Sequence, residues 1–421
     1  MGGLEQMGPE DALLTTYLFQ RGKAVQSLLR PYPANAMSKS AVRTALIACM
    51  ILTSIDFTLG QYESGTSHFH SGIKLLSSLR PDLPVNPASP GSYIDNGNSD
   101  ADDRWIIEAF GHGNLNTSQF GIGYWIPEPV PKTFCMPLPV LFETMQQAKQ
   151  ALDSLLSDTF KITAHARSGM VFTNLDGYSS AQTLVKLRQS VQSNLKSWLE
   201  ILERSTPSFR SQQSPLGLSI LHMFYAMTTI MADVSLTPDD AMVYDSHTHN
   251  FHTIIAYGQG VLRAVNAIAQ GKRPGEVKNK RELYAFVPDG GWQSPLFFTA
   301  LNCRIRRLRL HAVKFLDNIP AQEFIWNHKV AADIGRVIID IEHGLEADPD
   351  EDDFNILDVP SLDQLASPTL PVDSRIFNAH IALYDAPARA VLTYSKQSLN
   401  DGRKPDMREH GIRDCHEIIH S

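Results

Sequence analysis

Three groups of side chains have types and spacings that suggest chemistry. The first is His416-Glu417-Ile418-Ile419-His420 at the C-terminus. An H-E-x-x-H pattern on a helix sets two imidazoles one turn apart, with a glutamate to activate a zinc-bound water. A catalytic zinc needs a third protein ligand, which in such sites follows later in the chain, and here only Ser421 follows. The second group is His247, His249 and His252 in "HTHNFH", with His68 and His70 in "HFH". His249 and His252 share a helical face, as do Asp245 and His249, so a metal or an acid–base pair is conceivable. No set of one carboxylate and two histidines is complete, so neither metal nor cofactor is expected. The third group is aromatic: Tyr124 and Trp125 in "GYWIP", and Trp292 and Phe297 in "GGWQSPLFF". Aromatic and imidazole groups give a pocket apolar area with a few polar handles. If the protein acts on a small molecule, Tyr124, Trp125, His249, Trp292 and Phe297 are expected to line its cavity, with His252 as the catalytic candidate.

A fourth stretch raises the question of nucleic acid. Arg304, Arg306, Arg307, Arg309 and Lys314 fall within eleven residues. At about 100° per residue, Phe297, Leu301, Ile305, Leu308, Ala312 and Phe315 form one apolar stripe. The arginines do not share a face: Arg306 lies opposite the stripe, Arg307 and Arg309 flank it, and Arg304 falls at its edge. A DNA-reading helix keeps its contact residues on one exposed face. The spacing therefore predicts a core helix over 294–317 with solvated arginines and a half-buried Arg304. The glycine-rich "GHGNLNTSQFGIG" has neither a preceding strand nor a lysine for phosphate and reads as a loop and cap.

These groups must be positioned by helices. Apolar residues recur at helical spacing over 11–30, 37–60, 66–80, 139–160, 179–204, 214–236, 248–270, 294–317, 321–345 and 375–399. Ser38, Ser180 and Ser294 stand where caps belong, and Pro295 suits a first helical turn. No run alternates convincingly, so an all-α fold is expected. Residues 81–103, rich in Pro, Gly, Asn, Ser and Asp, read as a mobile loop, as do 346–374 behind the acidic "EADPDEDD". No internal repeat is visible.

The chain has 421 residues, 43% of them apolar and 19% charged, with a net charge of −8. It is long enough for a sizeable core, and its acidity argues against phosphate backbone as the main partner. Cys49, Cys135, Cys303 and Cys415 are scattered, which suits free thiols in a reducing compartment. No secretory signal is legible at the N-terminus, and the apolar run Ala45–Leu52 is short for a bilayer. A soluble intracellular protein of cytoplasm or nucleus, without membrane, is expected.

Several stretches together resemble the fungal-specific transcription factor domain, the helical region that follows the binuclear zinc cluster in fungal six-cysteine regulators. "ALIACMILTSIDFTLGQYESGTSHFHSGIKLL" is similar to its helix–turn–helix with the pattern His68, Gly72, Ile73, Leu75 and Leu76. "AFGHGNLNTSQFG" resembles its Phe-x-x-x-Leu-x-x-Gln segment, and "LFETMQQAKQALDSLL" its helix with a small-residue seam. "PLFFTALNCRIRRLRLHAVKFLDNIPAQEFIW" parallels its Cys-Arg, Arg-x-x-Ala and Pro-Arg-Arg-Glu-Gly-x-Trp sequence, followed by Ile341 and Glu342 in "VAADIGRVIIDIEHG". The resemblance covers about residues 37–345. It implies that the arginines belong to a helical scaffold and that Arg304 pairs with Glu342. Two departures stand out: the zinc cluster has no counterpart in this sequence, and the Pro-Arg-Arg-Glu-Gly-x-Trp box reads "PAQEFIW".

The reading is then one helical domain over 1–421 with mobile loops and a C-terminal helix over 375–399. The expected function is a regulatory or ligand-sensing protein without specific nucleic acid binding. It takes a small hydrophobic metabolite between helices, and a homodimer is compatible with this reading. Two alternatives stand beside it: a repurposed enzyme of secondary metabolism, a cofactor-free cyclase or pericyclase on the same scaffold, and a truncated regulator.

Overall fold

Where apolar side chains recur every three or four residues, helices form and bury that stripe. The computed structural model describes residues 39–79, parts of 105–113, 137–167, 175–209, 215–237, 240–269, 291–319, 327–344, 354–365, 370–385, 389–396 and 406–412. The described part is predominantly helical, an all-α fold with one small sheet. Its helices are α1 (Lys39–Thr58), α2 (Tyr62–Leu79), α3 (Met145–Arg167), α4 (Leu175–Phe209), α5 (Pro215–Val234), α6 (Thr248–Ala269), α7 (Gln293–Asn302), α8 (Arg306–Asp317) and α9 (His328–His343).

α4 shows how pattern becomes packing. Leu184, Leu187, Val191, Leu195, Trp198 and Leu202 are buried at steps of three and four. The Trp198 Nε1–H donates to the Ala148 carbonyl at 2.8 Å, tying α4 to α3. α5 is apolar on nearly all sides and lies inside the main core with Met223, Met227 and Ile230 fully buried. α1 and α2 form a hairpin with a smaller core of their own around Leu46, Phe69, Ile73 and Phe110. Their turn needs Gly60, whose φ of 70° is left-handed and open to glycine without steric cost. Phe57 and Tyr62, beside that turn, join the hairpin to the main core. α1 and residues Leu216–Val234 of α5 are long and apolar enough to cross a bilayer by length and composition. More than half of that part of α5 is buried within the protein.

Two expectations are corrected here. The helix over 294–317 is two helices, because Cys303 and Ile305 take extended backbone angles (ψ 139° and 107°) between α7 and α8. The carbonyls that the break frees are met by arginine side chains. Arg309 Nε donates to the Ala300 carbonyl at 2.8 Å, and Arg304 Nη1 approaches the Leu301 carbonyl at 3.5 Å. The helix over 375–399 is a hairpin of β1 (Ile376–Tyr384) and β2 (Arg389–Lys396), joined by β3 (Asp406–Ile412) in an antiparallel sheet of order β1-β2-β3. Ala390, Leu392 and Tyr394 are buried alternately, a period of two that the alanine-rich composition hides. A third correction concerns 346–374: residues 354–365 and 370–374 follow a defined path, and Phe354, Ile356, Leu357, Val359 and Leu365 pack against the main core. The segments 11–30 and 81–103 lie outside the described residues.

α9 starts at Asn327, whose side chain accepts from the Lys329 and Val330 amides at 3.1 and 3.3 Å. This is a regular N-cap. It ends at Gly344, with φ 78°. Those bounds place Glu342 in the last turn of α9, facing the break between α7 and α8.

Candidate functional site

Two side-chain constellations stand out, one buried and one at the surface. The buried one centres on Glu342. Its Oε1 accepts from Arg304 Nη1 and from the Ile376 amide, each at 2.6 Å. Its Oε2 accepts from Arg309 Nη1. Arg304 Nη2 also donates to the Ile376 carbonyl at 3.1 Å. One carboxylate thus joins the α7–α8 break, α9 and the start of the sheet. Arg304 is 4% exposed and Arg309 0%. The Arg304–Glu342 pair implied by the resemblance is present, but the expected solvation of Arg309 is corrected: it is the most deeply buried arginine of the stretch. Burial alone would raise the Glu342 carboxyl. The Arg309 and Arg304 guanidiniums outweigh it and hold the group below the ordinary carboxylate range. Burial pushes the nearby Cys303 thiol up to about 12, so it stays protonated and unreactive.

Arg375 extends this polar seam. Its Nη1 reaches both oxygens of Asp245 at 2.9 Å, and its Nε and Nη2 donate to the Leu370 carbonyl at 3.0 and 2.9 Å. Asp245, considered above with His249, is therefore engaged with Arg375.

The surface constellation is a groove between α6 and α8. His252, Gln259 and Arg263 follow one another on α6 at steps of seven and four, so they share a face. Arg307, His311 and Lys314 do the same on α8 at steps of four and three. Residues 354–360, "FNILDVP", lie over both faces as a strap. His252 Nε2 is 2.9 Å from the Pro360 carbonyl. A carbonyl only accepts, so that nitrogen carries the proton. Gln259 Nε2 and Arg263 Nη2 both donate to the Leu357 carbonyl, the latter at 3.2 Å. The Phe354 ring lies under three α8 side chains. The Arg307 guanidinium is 3.4 Å from its centroid, the Lys314 ammonium 3.8 Å, and the His311 ring 4.4 Å. His311 is wholly buried. Burial first, and the Arg307 charge second, lower its pKa to about 4, against a weaker opposite pull from the backbone of Ile356 and Asp358. It is a neutral ring near pH 7.

The candidates named from the sequence distribute as follows. Tyr124, Trp125, His416 and His420 lie outside the described residues. His249 is exposed, and its carbonyl accepts from Thr253 Oγ1 at 2.9 Å. Trp292 and Phe297 are buried in the main core at the start of α7. His252 is at the groove, holding the strap. Among the described residues no three His, Cys, Asp or Glu side chains come together as a metal site. Sequence reasoning missed Gln259, Arg263, Arg307, His311, Lys314 and Phe354 as one constellation. The signal on α6 was its spacing to His252; for Phe354 nothing local announces where it docks.

Comparison with family models, with curated proteins and with solved structures finds no match for this chain. The likeness to the fungal regulatory domain therefore rests on the residues quoted above.

Proposed function

We propose that this chain is a regulatory, ligand-sensing helical protein that does not read DNA, and that a small hydrophobic metabolite acts on it at the α6–α8 face beneath the strap. The observation that carries this reading is the way the face is covered. A segment without α-helix or strand presents Phe354, Ile356, Leu357 and Val359 to the main core and is tied to α6 by side-chain bonds to two carbonyls. Such covers open at lower cost than packed helices. An apolar ligand of similar bulk would replace their contacts, in a setting of aromatic area and a few polar groups typical of small-molecule sites. The direction of the arginines supports the rest of the reading. Arg304 and Arg309 turn inward to Glu342 and Arg307 is stacked on Phe354, so these three are engaged within the fold. The resemblance to a helical regulatory domain agrees in kind.

Hydrogen exchange measured with a panel of apolar small molecules tests this. A bound compound should raise deuterium uptake in 354–365 and leave α9 unchanged. If every compound that binds alters exchange only away from the strap and α6, the reading is wrong.

A further inference from the structure

The groove has more polar structure than a small apolar ligand needs. His252, Gln259 and Arg263 form a row of donors along α6, and what they read is main-chain carbonyl, at Pro360 and Leu357. The strap runs antiparallel to α6, with Pro360 at the helix's N-terminal end and Leu357 further along. Donors in a row that meet two main-chain carbonyls of one segment, beside a site for one anchoring side chain, are the parts of a peptide-recognition surface. Here the anchor is the Phe354 ring, held between Arg307, Lys314 and His311. A cation over an aromatic face is favourable and gains when desolvated. The seated segment follows "EADPDEDD" in sequence, and the groove wall on α8 carries Arg307 and Lys314. Acidic ligand and basic wall are complementary, which favours encounter and fixes register.

We propose that the α6–α8 face is a peptide-docking groove occupied in cis by the chain's own residues 354–360, and that its partner in trans is an acidic segment of another protein anchored by an aromatic residue. The inference rests on the same groove as the proposed function but not on the metabolite. The strap serves as the internal competitor: it shows the ligand chemistry and lowers apparent affinity until it is displaced.

The test uses the full chain and a labelled synthetic peptide of residues 351–361, "EDDFNILDVPS", followed by fluorescence anisotropy at physiological salt. Phe354→Ala removes the cis anchor and leaves the α8 pocket intact. That variant should bind the peptide at least about tenfold more tightly than the unmodified chain, the scale of one lost anchoring contact. A peptide with alanine in place of its phenylalanine should lose about the same factor. Adding Gln259→Ala and Arg263→Ala to the Phe354→Ala chain should weaken binding again. Equal binding by the two chains, or equal binding of the two peptides, overturns the proposal.

Should the Phe354→Ala chain fail to fold, the unmodified chain still decides. Excess peptide made with heavy isotopes should raise deuterium uptake in the protein's own 354–365 and leave 328–343 unchanged; no rise overturns the proposal. An apolar fluorescent probe in parallel separates the two readings. Probe binding that is sensitive to groove variants, without peptide binding, leaves the metabolite site standing and removes only the peptide.

Discussion

Glu342 accepts hydrogen bonds from two guanidiniums and one backbone amide while wholly buried. A buried charge stripped of its partner is costly, so Glu342→Gln, which leaves two arginines facing a neutral amide, should destabilise by roughly 3–5 kcal/mol. Arg304→Met leaves Glu342 with Arg309 and should cost less, and Arg306→Met, at a half-exposed position, least. Thermal melts should rank the three in that order; equal effects of Arg304→Met and Arg306→Met would refute the assignment. His311 and His343 give a pH signature. Burial, with nearby arginines second, lowers both to about 4 from an ordinary 6.5. Below pH 6.5 the unfolded chain therefore binds protons that the folded chain refuses, so stability falls with pH through the window from 6.5 to about 4. A urea midpoint series should show this, and His311→Phe should flatten the slope by about one proton. A slope unchanged in the variant would remove His311 from the account. At this scale the sequence carried the Arg304–Glu342 pair through a resemblance. It did not carry Arg309: a wheel that assumes a continuous helix places that residue at the stripe's flank, whereas the break at Cys303–Ile305 turns it inward.

The break between α7 and α8 also governs how elements meet. α8 crosses α9 at Gly335, where a Cβ would stand 2.9 Å from Val313 Cγ2 and 3.1 Å from Ala300 Cβ. Gly335→Ala should therefore force these helices apart and cost about 1–3 kcal/mol. Gly260, on the exposed side of α6, meets nothing within 4 Å. Gly260→Ala should stabilise by up to about 1 kcal/mol, since alanine favours a helix interior. Chemical denaturation of the pair checks both signs, and destabilisation by Gly260→Ala would mean that α6 packs differently. Most helices were legible because their apolar spacing is a local property. β1 and β2 were not: nine- and eight-residue strands whose apolar residues include Ala379, Ala382, Leu383, Ala390 and Leu392 satisfy a helical pattern as well as a period of two. What decides between the two is pairing across the hairpin, such as Ile381 with Leu392. That contact is not local in the sequence.

At the scale of the whole molecule, a helical core fastened by the Glu342 hub carries a strap on its α6–α8 face. The strap was legible only as a loop, because its order comes from His252, Gln259 and Arg263 about a hundred residues earlier, and no window of sequence contains both sides. His252 was found, but as a catalytic candidate. Its place at the groove depends on Pro360, which the helical spacing around His252 does not reveal. The inward arginines and the net charge of −8 predict that any duplex DNA binding is sequence-independent and lost near physiological salt. Anisotropy titrations with random and defined duplexes check this; sub-micromolar retention of one sequence at that salt would contradict it. The central claim is that the strap can leave the groove while the core stays folded. Native-state hydrogen exchange of the ligand-free chain, read segment by segment, tests it most directly. Amides of residues 354–365 should exchange by local opening, at least about a hundredfold faster than Ile338 and Ile339 in α9, because few regular hydrogen bonds hold them. Exchange of the strap and α9 together, at the rate of global unfolding, would contradict the account.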